Sequence, residues 1–251
     1  MYLENRFSNY DTIEHVYRSY SEKAYETYLT KLEELILQYL PKGAHIFDLC
    51  CGRGELVQLL LKKGYQVTGL DGSEVMLRYA RENALGAKFI LDDARYFKLS
   101  PTFHAAVSIG DSLSYVISIE ELKNVFHNVY ASLLENGFFA FELESEECHQ
   151  SFINTNYLGD VKDDFAYIER LLYDTKEKLI RESYTQFQMI NGAWQRSDLT
   201  LQRKAYSSTE IEVALESVGF TEVRSYDEEH DLGVDGAAGR NFFVCRKTLS
   251  I

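Results

Sequence analysis

Phe47-Asp48-Leu49-Cys50-Cys51-Gly52-Arg53-Gly54-Glu55 is the stretch on which the fold turns. The apolar run Ala44–Leu49 leads into it as a short strand, and Leu56, Leu59, Leu60 and Leu61 follow at helical spacing up to Gly64. Glycines where a strand gives way to a helix let the backbone approach a ligand closely, and the first turn of the helix offers unpaired N–H groups. A dinucleotide loop of the Gly-x-Gly-x-x-Gly kind needs a third glycine for pyrophosphate approach and close helix packing. That position is Val57, which argues against a nicotinamide or flavin dinucleotide.

On either side of the loop the chain alternates between strand and helix patterns. Residues 1–40 read as helices, with Tyr28, Leu32, Leu35, Ile36 and Tyr39 at three- and four-residue spacing before Pro41-Lys42-Gly43. Beyond the loop come a strand over Gln66–Leu70, a helix over Ser73–Glu82, strands over Ala87–Leu91 and Ala105–Ser108, a helix over Ile119–Leu134 and a strand over Phe138–Leu143. Alternation at this spacing means right-handed βαβ units and a mostly parallel sheet covered on both faces. It stops near Glu144. From about Phe165 to Tyr206 the pattern is an antiparallel meander, with Asn191-Gly192 a type I′ hairpin signal between Lys178–Met189 and Ala193–Ala205. The parallel pattern resumes with Ser207-Ser208-Thr209-Glu210, a capping box opening a helix that Gly219 closes, and with strands over Glu222–Asp227 and Asn241–Lys247. Three units follow: a helical cap over 1–40, a core over 41–147 and 207–251, and an inserted β lid over 148–206.

The motif Asp48-x-x-Cys51-Gly52-x-Gly54 resembles the first motif of the class I S-adenosylmethionine-dependent methyltransferases, with Cys50 standing where that family usually has a small residue, often glycine. The resemblance covers roughly Ala44–Leu143 and, more loosely, the last two strands. It implies an α/β, Rossmann-like, doubly wound sheet of seven strands, mostly parallel with an antiparallel last strand, plus the N-terminal helices and the β-rich insertion. It also implies S-adenosylmethionine as methyl donor and S-adenosylhomocysteine as product. Asp71 ends the second strand 19 residues beyond Gly52, within the spacing at which an acidic residue accepts bonds from ribose hydroxyls; followed by Gly72-Ser73, it also suits a helix cap. In Leu91-Asp92-Asp93-Ala94-Arg95 the resemblance assigns the adenine edge to Asp93 and the Ala94 N–H, with Asp92 the competing carboxylate, and it puts Asp48 near the methionine end. Cys50, Gly52, Gly54 and Gly72 complete that wall. After the fourth strand, Gly110 and Asp111 face the methionine moiety, while Ser112 and Tyr115 of Ser112-Leu113-Ser114-Tyr115 border the acceptor, Tyr115 reading equally as a core aromatic. His104 reads as structural.

The acceptor is decided by what is added to the core. Tyr17-Arg18-Ser19-Tyr20, Ser112–Tyr115 and Gly239-Arg240-Asn241-Phe242-Phe243-Val244 together resemble bacterial small-molecule N-methyltransferases, nearest to those acting on amino sugars of nucleotide-linked deoxysugars. The resemblance implies an N-terminal tyrosine closing over the cofactor, for which Tyr20 is the candidate, reading equally as a helix-packing residue, and Tyr17 is a candidate for binding the substrate. Arg240 meets an anionic substrate group or pairs with a carboxylate. Methyl transfer from a sulfonium is an in-line displacement with the leaving group already activated, so it needs no dedicated nucleophile or metal. The sequence accordingly names no catalytic base; Tyr20 and Tyr115 are the candidates, and no metal site is expected. The expected activity is methyl transfer to a small-molecule acceptor, an amine first. An O- or C-methyltransferase, an RNA or protein methyltransferase and a non-catalytic cofactor-binding partner are the alternatives.

Composition narrows the partners. The 251 residues carry a net charge of −13 without a clustered Lys/Arg footprint, which speaks against nucleic acid. Four cysteines in neither a disulfide framework nor a metal spacing, and a polar start with no apolar span, are the pattern of a cytoplasmic protein without a membrane segment. Exposed strand edges in the insertion suit a homodimer. The charge is uneven: residues 148–206 sum to zero, so the acidic total describes the rest of the chain. Of 18 tyrosines, 12 fall in residues 1–40 and 148–206, pointing to an aromatic pocket under cap and lid.

Overall fold

The structure, a computed structural model, describes residues 11, 22–151, 157–234 and 237–248. In chain order its elements are α1 (Glu22–Leu35), a 3-10 turn (Leu37–Tyr39), β1 (His45–Leu49), α2 (Glu55–Lys62), β2 (Gln66–Asp71), α3 (Glu74–Asn83), β3 (Lys88–Leu91) and β4 (Phe103–Ser108). A second 3-10 turn (Ser112–Tyr115), α4 (Ile119–Ser132), β5 (Leu133–Glu144) and α5 (Glu146–Ser151) follow. The chain continues through β6 (Tyr157–Val161), β7 (Phe165–Asp174), β8 (Leu179–Ile190), β9 (Ala193–Lys204), α6 (Ser208–Val218), β10 (Thr221–Asp227) and β11 (Arg240–Arg246).

Seven strands form the main sheet in the order β10-β11-β5-β4-β1-β2-β3. The pairs β4/β5, β4/β1, β1/β2 and β2/β3 are parallel, whereas β11 runs antiparallel to both β5 and β10. Chain order reverses between β1 and β4, which places the crevice for a ligand at the carboxyl ends of those two strands. Because both faces are covered, β1 is buried from Ile46 to Leu49 instead of alternating: Ile46 packs with α1, α2 and α3 through Leu32, Leu56, Val57 and Leu77, and Phe47 packs toward Phe97, Phe103 and α4 on the other face. The phenylalanines are core residues: Phe47, Phe97, Phe126, Phe139, Phe141, Phe242 and Phe243 are all fully buried. No described helix is long and apolar enough to cross a membrane.

The second sheet is an antiparallel meander, β6-β7-β8-β9. Its hairpin turn has positive φ at Asn191 (52°) and Gly192 (80°), the conformation a type I′ turn demands. Downstream, the Ser207/Glu210 capping box and the left-handed Gly219 bound α6 as the sequence indicates.

The largest boundary difference from the sequence reading falls between α4 and β5. Helix α4 stops at Ser132, two residues early, and β5 starts at Leu133 by pairing with Phe103 before the register shifts at left-handed Asn136. Strand β6 went unread because its apolar residues are exposed and its place is set by backbone pairing with β7. A Cβ on Gly159 would lie 2.6 Å from the Tyr167 carbonyl oxygen, so close approach decides that strand, not apolar alternation.

Candidate active site

The loop between β1 and α2 makes its turn with three left-handed residues, Cys50 (φ 60°), Gly52 (53°) and Gly54 (79°). Gly54 caps α2, and a Cβ there would meet Ala80 Cα and Cβ at 3.1 Å, so glycine is what lets α2 pack on α3. The Gly52 N–H donates to Asp71 Oδ2 and the Ser73 N–H to Asp71 Oδ1, both at 2.9 Å. The end of β2 is thereby locked to the glycine loop. Burial raises the Asp71 carboxyl above its ordinary value, and these N–H donors offset part of that rise.

Asp48, one residue from the end of β1, is 1 % exposed and neither carboxylate oxygen has a hydrogen-bond partner among the described residues. Burial, then Asp71 and Glu55, push its pKa well above the ordinary carboxylate range. An orphaned buried carboxyl costs folding free energy, and it is the kind of group a positively charged ligand would relieve.

Beside this loop lies a cleft of about 430 Å³. Cys50, Gly52, Asp71, Gly72, Asp93 and Ala94 share one wall. Ser112, Tyr115, Val116 and Ile117 from the loop after β4, Tyr25 from α1, and Thr200 and Leu201 from β9 also line it. The Asp93 carboxylate is already engaged by the Arg95 guanidinium, whose Nε lies 2.9 and 3.1 Å from its two oxygens. Ser112 Oγ donates to the Ile109 carbonyl at 2.8 Å.

Other residues picked from the sequence stand back from the cleft. Gly110 (φ 69°) donates its N–H to Glu142 Oε2 at 2.9 Å. Asp111 takes bonds from Ser114 Oγ and the Glu144 N–H and an ion pair from Arg203. Arg240 pairs with Glu144 Oε1 at 3.1 Å, half-buried. His104 Nδ1 accepts the His45 N–H, a structural bond. Tyr17 and Tyr20 lie outside the described residues. The tyrosine-lined pocket is a point of correction: of the described tyrosines in residues 1–40 and 148–206, Tyr25 alone borders the cleft. Tyr28 is instead half-buried and bonded to Glu142, and Tyr39 and Tyr157 are exposed.

The sequence reading missed the joint between the two sheets. Arg203 on β9 pairs with Asp111, with Glu144 Oε2 (3.0 Å) and with Glu182 Oε1 on β8 (2.5 Å). Glu182 Oε2 in turn accepts the Tyr115 hydroxyl at 2.9 Å. A signal was present: Ile180, Glu182, Tyr184 and Gln186 are all buried, so polar side chains fill the inward phase of a half-buried strand.

An open sheet in this order, with a glycine-rich turn at its switch point, defines the fold of the class I methyltransferases, and solved methyltransferases share it. Residues 46–137 match the methyltransferase domain family, and a relative along most of the chain is named a putative methyltransferase. YqeM of Bacillus subtilis is 27% identical over 216 residues, 84% of this chain and 87% of that protein. The dTDP-3-amino-3,4,6-trideoxy-alpha-D-glucopyranose N,N-dimethyltransferase of Streptomyces venezuelae is 31% identical over 115 residues, 46% of this chain and 48% of its own length. The S-adenosylmethionine-bound structure of CalS10, an amino pentose methyltransferase from Micromonospora echinaspora, superposes with a TM-score of 0.73 at 20% identity, covering 94% of this chain and 97% of that one.

Proposed function

We propose that this enzyme methylates a small-molecule amine held between the glycine loop and the second sheet. The observation that carries the reading is the cleft itself, a small-molecule volume closed by Tyr115 and Leu201 and bordered by the carboxylates Asp71, Asp92 and Asp93. The trideoxysugar N,N-dimethyltransferase, amine-directed by name, and the methyltransferase whose substrate is named as an amino pentose support it.

The donor set fits the cofactor. Orphaned Asp48 suits its cationic methionine end, Asp71 its ribose hydroxyls, and Asp93 with the Ala94 N–H its adenine edge. Cys50, Gly52 and Gly72 keep that wall low enough for backbone contact, Gly54 sets the turn by letting α2 pack on α3, and Gly110 and Asp111 hold the loop on the methionine side. When bound, S-adenosylmethionine supplies a methyl group that departs from sulfur without acid assistance. The chain's own task is therefore to align the acceptor, through Ser112 and Tyr115, and to exclude water, through Val116, Ile117 and Leu201. In this reading residues 1–40 act as a cap and 148–206 as a lid on the core of 41–147 and 207–251.

Two measurements test the proposal. Calorimetry with S-adenosylhomocysteine should show saturable binding to the wild type that is lost in Gly52→Trp. Labelled methyl transfer should then appear on at least one member of a panel of dTDP-3-amino-3,4,6-trideoxy-α-D-glucopyranose and simple primary and secondary amines, with matched alcohols and unmodified transfer RNA as controls. Transfer to an alcohol or to RNA alone would overturn the amine reading.

A further inference from the structure

A strip of alternating hydroxyls and carboxyls runs from the cleft into the second sheet. Tyr115 borders the cleft and donates to Glu182 Oε2 on β8 at 2.9 Å. Tyr184, on the same face of β8, donates to Glu169 Oε1 on β7 at 3.0 Å and lies 3.5 Å from Glu182 Oε2. These three sheet residues are inside the protein: Glu182 is 2 %, Tyr184 6 % and Glu169 9 % exposed. Burying two carboxyls on neighbouring strands opposes folding unless each is paired. Arg203 answers Glu182 at 2.5 Å, whereas Glu169 has no ion pair among the described residues. The groups that face Glu169 are Glu182 and Tyr184 from β8, Arg203 from β9 and Glu144 from β5. Burial, then Glu182, push its carboxyl up to about 7. An apolar pair at these positions would pack more cheaply, so the arrangement calls for a task beyond stability.

We propose that Tyr115, Glu182, Tyr184 and Glu169 form a proton path that drains the acceptor nitrogen, with Tyr115 facing the acceptor and the other three acting through it. The proposal rests on the amine reading above. In the transfer the nitrogen lone pair forms the new N–C bond, and the pair of the broken C–S bond stays on sulfur. The methylated nitrogen then carries one proton more than the neutral product. That proton passes to the Tyr115 oxygen as the Tyr115 hydroxyl proton moves to Glu182 Oε2. It moves on by the same exchange through Tyr184 to Glu169 Oε1, from which water removes it. Below pH 7 Glu169 is already protonated and the path is closed; above it the path is open. Tyr115 is the catalytic candidate, and Glu182, Tyr184 and Glu169 are positioning residues.

The test compares pH profiles of the intact enzyme on the panel amine that it methylates fastest. For the wild type kcat should rise through about pH 7. Glu169→Gln, nearly the same shape, should lose that limb and lower kcat at pH 7.5 by on the order of tenfold with little change in KM, while Glu169→Asp should restore the limb. A second readout needs no turnover. Side-chain carboxyl 13C NMR of the S-adenosylhomocysteine complex should show Glu169, assigned by its loss in Glu169→Gln, titrating near 7 and shifting in Tyr184→Phe. Methyl transfer with superimposable profiles for wild type and Glu169→Gln, or a Glu169 that titrates with ordinary carboxyls, overturns the proton path and leaves the amine reading standing. Absence of transfer to every amine overturns both.

Discussion

Asp48 shows what a binding residue costs before its ligand arrives. It is buried, unpartnered and pushed up by burial, Asp71 and Glu55, so in the cofactor-free protein it works against folding. Asp48→Asn removes the charge and keeps the shape. The cofactor-free variant should therefore be more stable by about 1–2 kcal/mol in urea unfolding, while its S-adenosylmethionine affinity in calorimetry falls at least about tenfold. A variant that is both less stable and equally tight would show that Asp48 is a structural residue. Residues of this loop are legible in sequence because their constraints are local: Gly54 is fixed by Ala80 against α2, and Gly52 and Asp71 meet because consecutive parallel strands bring 19-residue spacing together. Cys50 is the exception within the motif, holding φ 60° with a side chain where glycine would be unstrained. Arg203 was not legible, since its partners Asp111 and Glu144 stand 92 and 59 residues away and only the folded chain selects them.

Among elements, those whose period or punctuation is self-sufficient could be read directly. The β8–β9 hairpin has its Asn-Gly turn, and α6 has its capping box and closing glycine. Strand β6 has neither, and α5 is six residues long. What joins the second sheet to the first is ionic. Arg203 carries β9 onto Asp111 and onto Glu144 at the end of β5, and Tyr115 carries the second 3-10 turn onto β8. Arg203→Met, which keeps the aliphatic stem, leaves the buried Asp111 and Glu182 without their arginine and Glu144 with Arg240 alone. The expected cost is about 3–5 kcal/mol. Hydrogen exchange should localise it, with amides of β8 and β9 exchanging faster than those of β1 and β2. A melting temperature unchanged from the wild type would mean that the sheets are held by apolar contacts such as Leu201 on Phe165 and Tyr115, with the ionic joint contributing nothing net.

For the whole molecule, charge and burial act in the same direction. The net charge of −13 favours expansion as pH rises. Buried carboxyls add to this: besides Asp48 and Asp71, Asp111, Glu142 and Glu169 are each pushed up to about 7, in every case first by burial, with Glu144, Glu228 and Glu182 respectively adding to the rise. Their pKa values in the folded state exceed the unfolded values of about 4, so the folded chain holds these protons more tightly. Their contribution to stability is complete below about pH 4 and is lost as pH climbs through 7. Glu144 and Asp227, held below the ordinary range by Arg203 and by backbone N–H donors despite burial, act oppositely, but their contribution is lost only as pH falls below about 4. Between pH 5.5 and 8 the first set decides the sign, and the cofactor-free enzyme should lose stability with rising pH. One pKa unit is about 1.4 kcal/mol, and the groups share partners, so the combined loss is put at about 2–4 kcal/mol, a fall in Tm of roughly 5–10 °C for a chain of this size. Sodium chloride at 0.5 M screens the surface repulsion and leaves the buried groups untouched, so most of the fall should persist in salt. Saturating S-adenosylmethionine should shrink it further by giving Asp48 a cationic partner. A Tm that is flat or rising over this interval in high salt would place these carboxyls in contact with water, and with that the closed joint between the two sheets would be lost.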